Sequence, residues 1–188
     1  MSKKVIVAVT GASGSIYAQK LIEQMLVHSN KFKEIALIFS ENGSKVWEYE
    51  LGDIPSFPKP VVVYENTNMF SPVASGSAAY DTMIVVPCTM GTLGRIATGT
   101  SPDLICRAAD VMLKERRKLI LVPRELPYSL IHIENMRTVT LAGGIMLPAS
   151  PSFYSLPKNI DELVLTVVNR ILDVVGIETN HYRWGDTK

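Results

Sequence analysis

Cysteine is scarce in this chain, with two residues, Cys88 and Cys106, in 188. They form no CxxC pair, which argues against a disulfide framework and a zinc cluster. Both thiols read as reduced and buried, the ordinary state of free cysteine. No His/Cys/Asp cluster has metal-ligand spacing, so no metal is expected. An excess of one charge is also missing: 19 Lys and Arg stand against 18 Asp and Glu, a net charge of +1. That balance gives no electrostatic reason to expect nucleic acid or an anionic membrane as partner. No apolar run approaches the ~20 residues a membrane helix needs. Met1-Ser2-Lys3-Lys4 runs straight into Val5–Val9, with neither the apolar length nor the cleavage site of a signal peptide. A cytoplasmic protein is expected. There is no repeat, linker or low-complexity stretch, and the length suits one domain over 1–188.

What is present is an alternation of short Val- and Ile-rich runs with helical patterns. Strands are expected at Val5–Thr10, Ile35–Phe39, Val61–Tyr64, Thr82–Pro87, Leu119–Val122 and Ile145–Leu147. Helices are expected at Ile16–Val27, Glu41–Tyr49 (ended by Gly52 and Pro55), from Pro102-Asp103 to about Arg116, Ser129–Leu141, and Ile160–Val175, closed by Gly176. Continuous apolar strands covered on both faces point to a parallel sheet. The alternation gives an α/β, Rossmann-like, doubly wound domain with a mostly parallel sheet and helices on both faces. Right-handed crossovers then place the loops after the strands along one sheet edge, where ligands bind.

Two loops carry chemistry. Thr10-Gly11-Ala12-Ser13-Gly14-Ser15 joins a strand to a helix. Its glycines allow close backbone approach, and the helix N-terminus offers N–H groups to a phosphate. The full GxGxxG spacing is absent, so two readings stand: a phosphate loop, with Glu41 placed to hold a ribose, or a structural turn. The second region is Ser75-Gly76-Ser77, then the strand at 82–87, then Pro87-Cys88-Thr89-Met90-Gly91-Thr92. The strand end, Pro87–Thr92, with its hydroxyls and glycine before a helix, reads as an anion or carbonyl cradle, or as an ordinary N-cap. Two cradles on one sheet edge favour a single phosphorylated, ring-bearing ligand.

Arg107 and Lys114 are seven positions apart and share a helix face. Arg124-Glu125 follows the strand at 119–122, Arg170 lies in the last helix, and Tyr154 in the Pro-rich stretch 148–157. Taken singly, such cations read as solvated surface charge, and Glu115-Arg116-Arg117 as a helix end suited to its dipole. Glu50 and Glu125 have no partner visible in sequence. His132 reads as structural or surface, with no paired nucleophile.

In order and spacing these pieces resemble the UbiX family of flavin prenyltransferases. The matching segments are Thr10–Gly14, Ser75–Ser77, Arg107–Val111, Leu113–Arg117, Leu121–Glu125, Ile131–Met136 and Pro151–Tyr154. The resemblance covers nearly the whole chain, from Val5 to about Trp184. It implies a homo-oligomer, a dodecamer, that needs no metal. It also implies an enzyme moving a dimethylallyl group from dimethylallyl phosphate to N5 and C6 of reduced FMN, with prenylated FMN passing to a UbiD-type decarboxylase. By motif, Gly11, Ala12, Ser13 and Ser40 contact the FMN. Thr89, Met90, Gly91 and Thr92 bind it through backbone and hydroxyl groups, and Arg124 reaches its polar edge. Lys114, Tyr154 and Arg170, with Arg107 nearby, hold the prenyl phosphate. Ser13, Glu50 and Glu125 stand at the reacting centre.

The implied chemistry explains these residue types. Charge grows on the phosphate oxygens as the C–O bond breaks, and fixed cations with a tyrosine hydroxyl stabilise it. Glu125 is expected to donate a proton to the departing phosphate, and Glu50 to handle the proton lost at C6. Ser13 is expected to orient N5. One departure stands out. Some members carry a Trp shortly before Ser-Gly-Ser, where this chain reads Asn68-Met69-Phe70-Ser71; either Phe70 substitutes, or flavin and phosphate stabilise the cation without it. Two rival readings are an FMN-dependent cysteine decarboxylase and a non-catalytic FMN carrier. The first needs an early active-site His, and His28 falls near the end of the first helix.

Overall fold

Valine, isoleucine and leucine crowd the strand segments, and their side chains alternate between two buried faces. A computed structural model describes residues 2–185. The strands are β1 (Lys3–Val9), β2 (Phe32–Phe39), β3 (Val61–Glu65), β4 (Thr82–Cys88), β5 (Lys118–Pro123) and β6 (Ile145–Met146). All pair in parallel, in the order β3-β2-β1-β4-β5-β6. The helices are α1 (Ser15–Val27), α2 (Glu41–Leu51), α3 (Met90–Ala97), α4 (Leu104–Lys114), α5 (Leu130–Leu141) and α6 (Ile160–Val175).

Val5, Val7, Val9, Ile35, Leu37, Ile84 and Ile120 meet Leu21 and Met25 of α1, Trp47 of α2 and Val168 and Ile171 of α6. Their neighbours Ile6, Ala8, Ile38, Met83, Val85 and Leu121 meet Leu93 of α3, Ala108 and Met112 of α4 and Val139 of α5. The central strands β1, β4 and β5 are therefore buried on both sides, which is why their sequences lack a polar face, while the edge strand β3 leaves Val62 and Val63 exposed. The expected doubly wound α/β fold is present. The chain winds outward in opposite directions from β1 and β4, and the crevice where their ends part is the usual ligand position of such sheets.

The sequence reading left α3 without bounds. Gly91 and Gly94 fall within its eight residues and dilute a helical pattern. Gly94 has a packing reason: a Cβ there would stand 3.3 Å from Asn135 Nδ2 of α5. Ser40, Thr89, Asp103, Ser129 and Asn159 cap α2 to α6, each side chain accepting an N–H of its first turn. α1 differs: its N-cap is Gly14 at φ 110, with no side chain to offer.

Cys88 and Cys106 are free and buried, as expected. Burial pushes their thiols up to about 12 and about 11, which keeps them protonated and unreactive. No helix among the described residues is long and apolar enough to cross a membrane.

Candidate active site

The crevice between β1 and β4 is bridged by one buried hydroxyl. Thr10 Oγ1 donates to Pro87 O at 2.7 Å and accepts from Thr89 N at 2.9 Å. Both loops that the sequence singles out, Thr10–Gly14 and Cys88–Thr92, thus hang from the same side chain. Thr10→Val keeps the volume and removes both bonds: Pro87 O keeps only the Thr10 N–H at 3.3 Å, and the Thr89 N–H is left without this partner. An unsatisfied N–H of this kind costs about 1–3 kcal/mol. We expect a loss of about 2 kcal/mol in urea unfolding and weaker flavin binding by fluorescence titration.

Gly11 is required for space. A Cβ at this position would stand 2.5 Å from Asn42 Cβ in the first turn of α2. Ser40 N donates to Val9 O at 2.9 Å and Ser40 Oγ accepts from Gly43 N at 3.0 Å, so α2 also starts at the end of β1. Thr89 caps α3, accepting from Thr92 N at 3.0 Å. The buried Thr92 hydroxyl accepts from Thr89 Oγ1 at 2.9 Å and from Arg95 Nη2 at 3.4 Å. Its side chain is committed inward. Met90 is packed partly into the core, while Gly91 is exposed at the crevice.

The open N-terminus of α1 is filled from a distance. Glu50, in the last turn of α2, accepts from Gly14 N at 3.1 and 2.9 Å through its two oxygens and from Ser15 N at 2.8 Å. The Gly-rich loop therefore does not offer those N–H groups to a phosphate, which corrects that reading of it. The carboxylate has taken the place an anion would occupy. Partial burial pushes the Glu50 carboxyl up, but hydrogen bonds from the Ser13 side chain and the Gly14 and Ser15 N–H groups together outweigh it, and its pKa lies below the ordinary 4.5. A depressed carboxylate contributes stability above its unfolded value and loses it as pH falls through the folded one. Glu50→Gln should therefore flatten the fall in stability below pH 4.5, read from urea midpoints across the acid range.

Arg124 completes the group. Its Nε donates to Ser13 O at 2.9 Å, tying the end of β5 to the first loop. Glu125 follows, half-buried, with Oε1 accepting from Leu126 N at 3.1 Å. Gly11, Ala12, Ser13, Ser40, Glu50, Thr89, Gly91, Arg124 and Glu125 all belong to loops or helix ends at the strand-end edge of the sheet, or reach it as Glu50 does. Neutral hydroxyls, first-turn N–H groups of α2 and α3 and one guanidinium form a donor set that fits FMN, whose phosphate and ring oxygens accept hydrogen bonds.

The remaining candidates lie elsewhere in the protomer. Lys114 ends α4, just before the start of β5, and its ammonium pairs with Glu115 at 2.5 Å. Arg107 pairs with Asp110 at 2.7 Å and donates through Nε to Ala74 O at 3.2 Å. Arg117 Nη2 donates to Gly76 O at 2.8 Å, which places Ser75-Gly76-Ser77 beside the start of β5. Ser75–Ser77 thus lies at the strand starts, whereas the two cradles, Thr10–Ser15 and Pro87–Thr92, share the strand-end edge as expected. Tyr154 and Arg170 are exposed, with Arg170 in mid-α6. Phe70 is fully exposed in a turn held by Ser71 Oγ donating to Asn68 O at 2.8 Å.

The flavoprotein family model matches residues 1–172. The flavin prenyltransferase UbiX of Methanocaldococcus jannaschii is 45% identical over 185 residues, covering 97% of this chain and 98% of the relative. The chain belongs to the UbiX flavin prenyltransferase family. A crystal structure of the UbiX protein called PadA1, in complex with FMN and dimethylallyl pyrophosphate, is 37% identical, covers all of both chains and has a TM-score of 0.90. A dodecameric FMN-dependent UbiX-like decarboxylase from Escherichia coli O157:H7 is 38% identical, with 97% of this chain and 100% of that one covered and a TM-score of 0.88.

Within this family site, sequence reasoning assigned no role to Thr10, Asn42 or Asp173. Thr10 opens the first loop, and a Thr directly after a buried strand is its only signal in sequence. Asn42 carries none, because its part is to pack against a glycine. Asp173 lies three residues after Arg170, a spacing that pairs charges on a helix.

Proposed function

We propose that this chain, as one domain over 1–188, transfers a dimethylallyl group from dimethylallyl phosphate to reduced FMN. The observation that carries this reading is the cluster of Ser13, Glu50, Arg124 and Glu125 where β1, β4 and β5 end. Reduced flavin supplies the nucleophile, N5, and then C6. The chain's own residues bind, orient and move protons. Arg124, tied to the Ser13 carbonyl, presents its remaining donors toward the ring, and the Ser13 hydroxyl, beside Glu50, orients N5. Glu50 is held as a carboxylate, the form that takes up the proton leaving C6. Glu125, beside Arg124, protonates the departing phosphate.

In its own protomer Lys114 lies at the strand starts, away from this crevice, and Arg107 is engaged by Asp110 and Ala74 O. We propose that a neighbouring copy presents these two cations to the crevice, as part of a dodecamer like that of the E. coli relative. The apolar face of Leu126, Tyr128, Leu130, Ile131, Ile133 and Leu141 supports such an assembly, since each is exposed in the protomer. Phe70 is exposed in the same way and available to a neighbour's site. A cytoplasmic location and a UbiD-type decarboxylase as recipient of prenylated FMN complete the proposal. They rest on composition and on the family.

The test is incubation with reduced FMN and dimethylallyl phosphate, read by mass spectrometry. A flavin heavier by one prenyl unit supports the transferase. Unmodified flavin bound to the protein makes it a carrier, and loss of CO2 from a cysteine peptide makes it a decarboxylase.

A further inference from the structure

Beside the exposed Arg170 lies a carboxylate with two guanidinium neighbours and an imidazole. Asp173, on α6 one turn further along, has a side chain only 14% exposed. Its Oδ1 accepts from Arg183 Nη2 at 2.8 Å, and its Oδ2 lies 3.4 Å from Arg183 Nη1, 3.4 Å from His181 Nε2 and 3.9 Å from Arg170 Nη1. His181 Nδ1 lies 2.8 Å from Thr179 Oγ1, which donates in turn to Asn169 Oδ1 at 3.4 Å. The segment after α6 is thereby laced back onto the helix. Its next residue, Trp184, meets Tyr154 edge to face, with ring centroids 4.7 Å apart. Between α6, this segment and the stretch from Met146 to Ser155 runs a groove of about 720 Å³ whose walls include Arg170 and Arg183.

We infer that Asp173 is a positioning residue for the prenyl donor: it pins the segment from Thr179 to Trp184 along the groove and so sets Arg170 and Tyr154 for the donor's phosphate. The inference rests on the proposed prenyl transfer. Its contacts divide the work. Arg183 is committed to Asp173 by two hydrogen bonds, whereas Arg170, at 3.9 Å and 68% exposed, is tethered but free to turn toward a phosphate. Glu162 is the other carboxylate of the groove wall.

The opposite role makes the opposite prediction. A carboxylate near a phosphate site that merely sits there repels the donor, so removing its charge would lower the donor KM. A positioning carboxylate raises that KM when lost, because misplacing a binding group outweighs one screened charge. For Asp173→Asn we expect the KM for dimethylallyl phosphate to rise about tenfold with a smaller fall in kcat. FMN affinity by fluorescence titration should be unchanged, and trypsin should clip faster after Arg183. Arg183→Gln should raise the same KM by a smaller factor, and Asp173→Glu should recover part of the loss. If Asp173→Asn does not bind FMN, Arg183→Gln decides. An unchanged or lowered donor KM, or unaltered clipping, overturns the inference. If the wild-type protein itself makes no prenylated flavin, the functional reading fails, while the clipping comparison still tests the pinning.

Discussion

Gly43→Ala is expected to cost about 3 kcal/mol of stability, at the upper end of what overpacking does in a filled core. It should also weaken FMN binding. A Cβ at Gly43 would stand 2.3 Å from Val9 O, 2.9 Å from Val9 C and 3.0 Å from Ser40 Oγ. Two of these are backbone atoms at the end of β1 and the third is the cap of α2, so no flexible side chain can give way. The residue is needed for space alone, since its backbone is that of an ordinary first helical turn. Relief requires α2 to withdraw from β1. That movement carries Ser40 and Asn42 away from the first loop and Glu50 away from the N-terminus of α1. A loss of about 3 kcal/mol lowers the melting temperature by about 10 °C in a chain of this size. Circular dichroism melts measure it. Gly91→Ala is the control, because its Cβ would meet nothing closer than 3.9 Å. It should stay within about 0.5 kcal/mol of wild type.

How much of this was legible depends on what each residue touches. The central strands could be read because a strand covered on both faces must be apolar throughout, and Val5–Val9 or Leu119–Pro123 carry that requirement in consecutive residues. The loops after β1 and β4 could be read for a similar local reason, since glycine and hydroxyl residues directly follow a strand. Glu50 could not. Its partners, Gly14 and Ser15, belong to another helix, and only the packing of the last turn of α2 against the first turn of α1 brings them together. The place of Ser75–Ser77 follows from the topology. In an all-parallel sheet every strand starts at one edge, so residues just before a strand lie opposite those just after it. Ser77 precedes Thr82 as Lys114 precedes Lys118, and that rule puts both at the strand starts. The exposed α5 face was hidden for the converse reason: Leu130, Ile131 and Ile133 look like core residues until the protomer leaves them uncovered.

The same rule yields the second large effect. Lys114→Ala removes a fixed cation from the proposed phosphate clamp and should lower prenyl transfer about 100-fold. Glu125→Gln, which removes the proposed proton donor, should do likewise. The two residues flank β5, one before Lys118 and one after Pro123, and six strand residues span about 20 Å. A lysine's four-carbon stem reaches only a fraction of that. If each crevice takes its Glu125 from one copy and its Lys114 from another, co-expressed variants will complement. Random assembly leaves half the crevices with an intact Glu125 and gives half of those an intact Lys114, so activity on the order of a quarter of wild type returns. Chains mixed after assembly, without exchange of subunits, should show none of this recovery. The measurement is prenylated flavin formed per chain by the co-purified assembly. If the mixture works no better than its parents, Lys114 does not serve a neighbour's flavin, and the clamp must be sought among Tyr154, Arg170 and the segment that Asp173 holds beside them.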